Sequence, residues 1–121
     1  MDEKLRQHLI DYKIRNRQKR FVANFTDTTN IDEFLDNLAK ELNDGADLII
    51  FKTSAPTGIS LNAAKKAKLL AGEFDATFLI YDRADIAFLT DADGLALDET
   101  SISETEARKI LGKDVLYIKF C

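Results

Sequence analysis

From Phe21 onward, short apolar runs alternate with stretches of helical periodicity. Phe21-Val22-Ala23-Asn24-Phe25 reads as a strand. Asn30-Ile31-Asp32-Glu33 follows as a capping box, with an N-cap side chain and a Glu three positions later. Ile31, Phe34, Leu35, Leu38 and Leu42 recur at i, i+3, i+4 spacing, which gives that helix one buried face, and Gly45 supplies the left-handed residue that ends it. Within Asp47 to Thr53, Leu48-Ile49-Ile50-Phe51 is too continuously apolar for a half-exposed strand and predicts a sheet covered on both faces. The polar loop Ser54-Ala55-Pro56-Thr57-Gly58 leads to a helix over about 60–72. Ala76 to Tyr81 is a third strand, and Asp82-Arg83 opens a short helix through Leu89. Gly94-Leu95-Ala96-Leu97 is a fourth strand. A second capping box, Ser103 to Glu106, opens a helix to Leu111 that Gly112 stops, and Val115 to Ile118 is a fifth strand.

Strand and helix in strict alternation at this spacing predict an α/β fold of parallel βα units with right-handed crossovers. Ahead of it, Leu5, Leu9, Ile10 and Ile14 recur at helical spacing, so residues 1–19 read as a basic amphipathic helix and 20–121 as the βα domain. The expected place of the helix is with its apolar stripe on the main domain. No Pro/Gly/Ser-rich linker divides the remainder.

Charge separates the same two segments. Residues 1–20 hold seven basic and three acidic side chains, about +4, which leaves about −8 on the rest of a chain whose formal net charge is −4. With 121 residues, 45% hydrophobic and 31% charged, the composition is that of one ordinary globular domain. The acidic balance argues against a nucleic-acid-binding surface. One cysteine, Cys121, excludes an internal disulfide, one histidine, His8, leaves no Cys/His metal cluster, and because His8 lies in the basic prefix far from the strand-end loops a Ser/His/Asp triad is not expected. A reducing cytoplasm is the expected setting. No apolar run approaches the length of a membrane span.

In parallel sheets, binding sites lie beyond the carboxyl ends of the strands. There the sequence places Thr26, Asp27, Thr28 and Thr29, then Lys52, Thr53 and Ser54 with Thr57 and Gly58, then Asp82 and Arg83, then Asp98, Glu99, Thr100 and Ser101. Lys52 with its hydroxyl neighbours is a candidate anion site at the amino end of the next helix. Asp82, with Asp98 or Glu99, is a candidate magnesium site, because that ion takes carboxylates together with water and substrate phosphate. Arg83 and Asp85 read as an ion pair at the start of the short helix. No catalytic residue is assigned.

Three segments, Phe78 to Ala87 (FLIYDRADIA), Ala92 to Leu97 (ADGLAL) and Glu106 to Gly112 (EARKILG), resemble the thiamine phosphate synthase/TenI-like family. Thr26-Asp27 and Gly45 to Ile49 resemble its first strand end and its second strand entry, so the likeness runs over about 21–120. The resemblance implies a phosphate-binding TIM barrel that joins a pyrimidine pyrophosphate to a thiazole phosphate and expels pyrophosphate. It also implies a Gln-x-Arg-x-Lys at the end of the second strand, where this chain has Ile50, Lys52 and Ser54. The family's Asn-Asp is Tyr81-Asp82, which keeps the carboxylate implied to bind magnesium. Its Gly-Gln-x-Asp is Asp98-Glu99-Thr100-Ser101, and its His is Ala96.

Five strands of an eight-stranded ring are therefore expected, either as a truncated TIM-barrel-like sheet or flattened into a three-layer α/β sheet. The open edges of such a sheet call for self-association or a partner protein that completes it. The resulting expectation is a shortened, degenerate family member that binds a phosphorylated ligand through Lys52 and Ser54, with Asp82 for magnesium, or a partner protein, without turnover. The alternatives are synthase activity with the missing strands supplied by another chain, and a structural or assembly module.

Overall fold

The computed structural model of the chain describes residues 19–97, 104–111 and 116–119. The expected helix over residues 1–19 falls, except for Lys19, outside the described residues. Five strands, β1 (Arg20–Phe25), β2 (Leu48–Thr53), β3 (Thr77–Tyr81), β4 (Gly94–Leu97) and β5 (Leu116–Lys119), alternate with four helices. These are α1 (Ile31–Asn43), α2 (Thr57–Glu73), α3 (Ala84–Thr90) and α4 (Glu104–Leu111). All strand pairs are parallel, and the order across the sheet is β1-β2-β3-β4-β5.

That order decides between the two expected forms. When each strand is laid beside its predecessor through a crossover of constant hand, every connecting helix falls on the same side of the sheet. A three-layer sheet needs a reversal of strand order, and the described strands contain none. The packing agrees. Phe34, Leu38 and Leu42 of α1, Ala63, Ala64, Ala67 and Ala71 of α2, and Ile86 and Ala87 of α3 form one core with Phe25, Ile49, Phe51, Phe78, Ile80, Leu95 and Leu97. The alternate strand positions Leu48, Ile50, Leu79 and Ala96 form a separate cluster on the opposite face, with Val22 and Tyr81 packed against it. The architecture is the helix-outside, strand-inside arrangement of a partial barrel.

Leu48, Ile49, Ile50 and Phe51 are all fully buried, as the unbroken apolar run predicts. Phe51 sits at the centre of four rings. Its centroid is 6.1 Å from Phe25, 5.9 Å from Phe34 and 6.3 Å from Phe78. α2 meets the sheet through alanines and the buried Ser60, a face small enough for the helix backbone to lie close to the strands. Ser60 Oγ donates to the Ala55 carbonyl at 3.0 Å and stands 2.7 Å from Thr53 Oγ1, which accepts the Ala55 N–H at 3.1 Å. This network folds the loop between β2 and α2. It also starts the helix at Thr57, three residues before the position that periodicity marks.

The capping residue of α1 is the expected one. Asn30 Oδ1 accepts the N–H groups of Asp32 at 2.9 Å and Glu33 at 3.1 Å, a contact of the kind worth about 1 kcal/mol. Gly45 has φ +102°, so it provides the left-handed exit. The helix-to-strand loops then repeat one device. The N–H groups of Ala46, Ala76 and Ala92 return to the carbonyls of Glu41, Ala71 and Ala87 at 3.0, 2.9 and 3.1 Å. The aspartates after two of those alanines tie the strand feet together. Asp47 Oδ1 accepts from Lys19 N–H at 3.3 Å, and Asp93 Oδ2 accepts from Phe78 N–H at 2.8 Å.

Candidate functional site at the carboxyl end of the sheet

Strand parity decides which side chains reach the inner face at the carboxyl end. Ala23 and Phe25 join the helix-side core, so Val22 and Asn24 face the other way. Asn24 is paired in register with Lys52, Phe51 with Ile80, and Tyr81 with Ala96. Asn24, Lys52, Tyr81 and Ala96 therefore form the last inner layer of the first four strands. Ile50 and Leu79 lie one layer below, fully buried.

Lys52 and Ser54 come together at this end. Both line a cavity of about 90 Å³ with Asn24, Phe25, Thr26 and Thr53. The Ser54 N–H donates to the Phe25 carbonyl at 3.0 Å, continuing the β1–β2 ladder one residue past Thr53 and fixing where the serine stands. Lys52 is exposed, and its Nζ lies 4.9 Å from the centroid of the Tyr81 ring. It is the one charged side chain in the lining.

The other polar residues predicted beside it are occupied by the fold. Thr53 Oγ1 belongs to the Ser60–Ala55 network. Thr57 Oγ1 accepts from Arg83 Nη2 at 2.9 Å. The Thr26 hydroxyl is hydrogen-bonded to those of Thr28 at 3.1 Å and Thr29 at 3.0 Å, where the chain turns from β1 into α1. Thr26 still reaches the cavity wall.

Asp82 lies outside the lining of that cavity, at the end of β3. Its φ of +64° is left-handed, a conformation that aspartate tolerates better than most residues. Its N–H donates to the Ala96 carbonyl at 2.8 Å, so the backbone of this turn is fixed by β4. Among the described residues, no group of three or more His, Cys, Asp and Glu could hold a metal ion. Asp98 and Glu99, the expected second carboxylates, lie outside the described residues. Among the described residues, Asp82 is the carboxylate of the expected magnesium site.

Arg83 and Asp85 form the anticipated ion pair, with Nη2 to Oδ2 and Nε to Oδ1 at 2.9 and 3.1 Å. The hydrogen bond from Arg83 holds the Asp85 carboxyl below its ordinary range, and the same bond raises the guanidinium. A depressed folded-state pKa contributes stability above the unfolded value of about 3.9, and that contribution is lost as pH falls through the folded value. Solvent screening at this exposed pair limits it to at most about 1 kcal/mol. Asp85→Asn should therefore remove a small part of the stability seen at pH 7 and none at pH 2, as read by urea melts at both values.

Asn24 and Tyr81 are the residues of this site that residue-type reasoning passes over. Asn24 stands inside an apolar strand, and only its parity and register with Lys52 mark it. Tyr81 reads as a strand residue until its ring is seen beneath the lysine.

Comparison with known proteins matches the family model for thiamine monophosphate synthase to residues 21–116. The chain belongs to this family. A thiamine-phosphate synthase of Synechococcus sp. (strain CC9605) is 32% identical over 90 residues, which is 74% of this chain and 26% of that protein. The thiamine-phosphate synthase of Anaeromyxobacter dehalogenans (strain 2CP-C) is 42% identical over 62 residues, covering 51% of this chain and 28% of the relative. Among solved structures, a thiamine phosphate pyrophosphorylase from Pyrococcus furiosus superposes with a TM-score of 0.73 at 27% identity, over 88% of this chain and 51% of that one. The chain thus spans about a quarter of the length of these curated relatives and about half of the solved structure. Membership explains the one-sided arrangement of the helices as the outer layer of a family barrel. No helix among the described residues is long and apolar enough to cross a membrane.

Proposed function

We propose that the cavity at the carboxyl ends of β1 and β2 binds a phosphorylated small molecule through Lys52 and Ser54, without the chemistry for which the relatives are named. The observation that supports this reading is that Lys52 and Ser54 both line one small cavity at the carboxyl end of the sheet. A cation with adjacent neutral donors is what a phosphoryl group requires. Asn24 and Thr26 add donors on the β1 side. Magnesium, held by Asp82 and by the ligand's own phosphate oxygens, would offset further negative charge.

The reading stops short of turnover because of the neighbouring positions. Displacing pyrophosphate needs cations and donors placed where charge develops on the leaving group. The resemblance sets two cations and a glutamine along the end of the second strand. This chain has Lys52 alone, with Ser54 above it and the buried Ile50 below. Ala96, also buried, stands where the family has histidine.

The test is a titration of the whole chain with inorganic phosphate, followed by ³¹P NMR or calorimetry, beside an assay with the family's two substrates. Saturable binding with no release of pyrophosphate is expected. Failure of phosphate to bind would remove the site, and release of pyrophosphate would restore the synthase reading.

A further inference from the structure

The inner face of the sheet is better covered than its own strands can explain. Leu48, Ile50, Leu79 and Ala96 are all 0% exposed there, and Thr77, at the same parity of β3, is buried too. Among the described residues, the hydrophobic side chains packed against this cluster are Val22 and Tyr81, which belong to the same sheet and are themselves half-buried. Helices α1, α2 and α3, and α4 through Leu111, pack on the opposite face. Side chains that stand side by side on a sheet shield one another laterally and leave their tips open. In a closed barrel the layers contributed by the other strands cover those tips. Complete burial here requires cover from elsewhere in the chain.

We infer that residues 1–18 supply it: their apolar side chains dock on the inner face over β2, β3 and β4, as an internal plug in the place where a closed barrel has its facing strands. The inference is independent of the phosphate-binding reading.

The covered area has the width of one helix. Neighbouring strands lie about 4.8 Å apart, so β2 to β4 span about 10 Å, close to the roughly 10–12 Å diameter of a helix with its side chains. On β1, outside that width, Val22 is half-buried and Arg20 and Asn24 are exposed. Length agrees as well. Eighteen residues make a helix of about 27 Å, enough to cross a strand of six residues at about 20 Å. They carry Leu5, Leu9, Ile10, Tyr12 and Ile14. The other stretches outside the described residues, 98–103, 112–115 and 120–121, are shorter, and all of 98–103 except Ile102 is polar.

The segment also joins the sheet at the right place. The Lys19 carbonyl accepts the N–H groups of Asp47 at 3.0 Å and Leu48 at 3.3 Å, directly beside the first residue of the buried cluster. Charge favours the same end. The helix-to-strand loops there hold Asp44, Asp47, Asp75, Asp91 and Asp93 and no lysine or arginine, whereas Lys13, Arg15 and Arg17 lie just ahead of the junction. Attraction between the two draws the segment back over the amino end of the sheet. The apolar groove on the outside, lined by Leu35, Leu69 and Leu70, is by contrast uncovered, with Leu69 72% exposed.

The test uses the full chain with Cys121→Ser and a nitroxide attached through Gln7→Cys, a polar position. Methyl NMR should show the Ile50 and Leu79 signals lost while the nitroxide is oxidised and recovered on reduction, with Leu69 on the outside of α2 largely retained. Loss strongest at Leu69 and Leu70 would place the segment in the outer groove, and weak, uniform attenuation would leave it undocked; either result overturns the inference. Loss of the Ile50 and Leu79 signals in a mixture of nitroxide-bearing chains with separately methyl-labelled ones would assign the cover to a second copy and overturn it too. Leu9→Asp combined with Ile10→Asp should lower the urea midpoint and make the chain bind the dye ANS, which reports exposed apolar surface. A folded double variant with the native midpoint and no dye binding would contradict the plug, and the nitroxide result decides if that variant does not fold.

Discussion

Replacing Phe51 with alanine should cost about 3–5 kcal/mol, the range for truncating a fully buried aromatic side chain. Phe51 is 0% exposed and contacts three other rings, from β1, α1 and β3. Those rings belong to separate elements of the backbone, so they cannot all close on the void that alanine leaves. The loss takes most of the stability of a domain holding about 5–15 kcal/mol in total. Urea denaturation should show a much lower midpoint with an unchanged slope, or a chain already unfolded in buffer. Leu69 of α2, at 72% exposure, is the control; its alanine variant should stay within about 0.5 kcal/mol of the native chain. A Phe51→Ala protein as stable as that control would contradict the assignment of the core to the helix side of the sheet.

The second large effect falls on ligand binding and leaves the fold alone. Lys52→Ala should weaken phosphate binding by about 10- to 150-fold, because a hydrogen bond to a charged group contributes about 1.5–3 kcal/mol. The side chain is exposed, so the melting temperature without ligand should hardly move. Lys52→Arg keeps the charge and should retain part of the affinity. Ser54→Ala removes a neutral donor and should cost less than the lysine does. Without magnesium, Asp82→Asn should leave phosphate affinity unchanged, since Asp82 is not part of the cavity wall. Calorimetry on these four variants separates the roles, and an unaffected Lys52→Ala would place any phosphate site elsewhere.

The elements of the fold were legible in the sequence where periodicity and capping chemistry speak together. Asn30 caps α1, Gly45 turns the chain left-handed behind it, and Gly94–Leu97 forms the fourth strand at the expected residues. Boundaries slipped where a side-chain network overrode composition. Thr57 and Gly58 look like loop, yet the Ser60–Thr53–Ala55 network begins α2 at Thr57. Asp82 reads as the start of α3 but forms a left-handed turn before it.

The site was legible in part. Lys52 and Ser54 emerge together because they flank the end of one strand. Asn24 and Tyr81 depend on cross-strand register, which no local pattern carries. Some of the family likeness, moreover, marks architecture and not chemistry. Asp47 and Asp93, inside two of the segments that resemble the family, hold strand feet.

The order in which strands lie across the sheet is also the order in which they are synthesised. Each strand after β1 finds a partner already made, the strand that precedes it. A chain leaving the ribosome can therefore assemble vectorially, one βα hairpin at a time, in the manner of N-terminal-first folding. Hydrogen exchange on stalled nascent chains should show β1 and β2 protected before β4 has been translated.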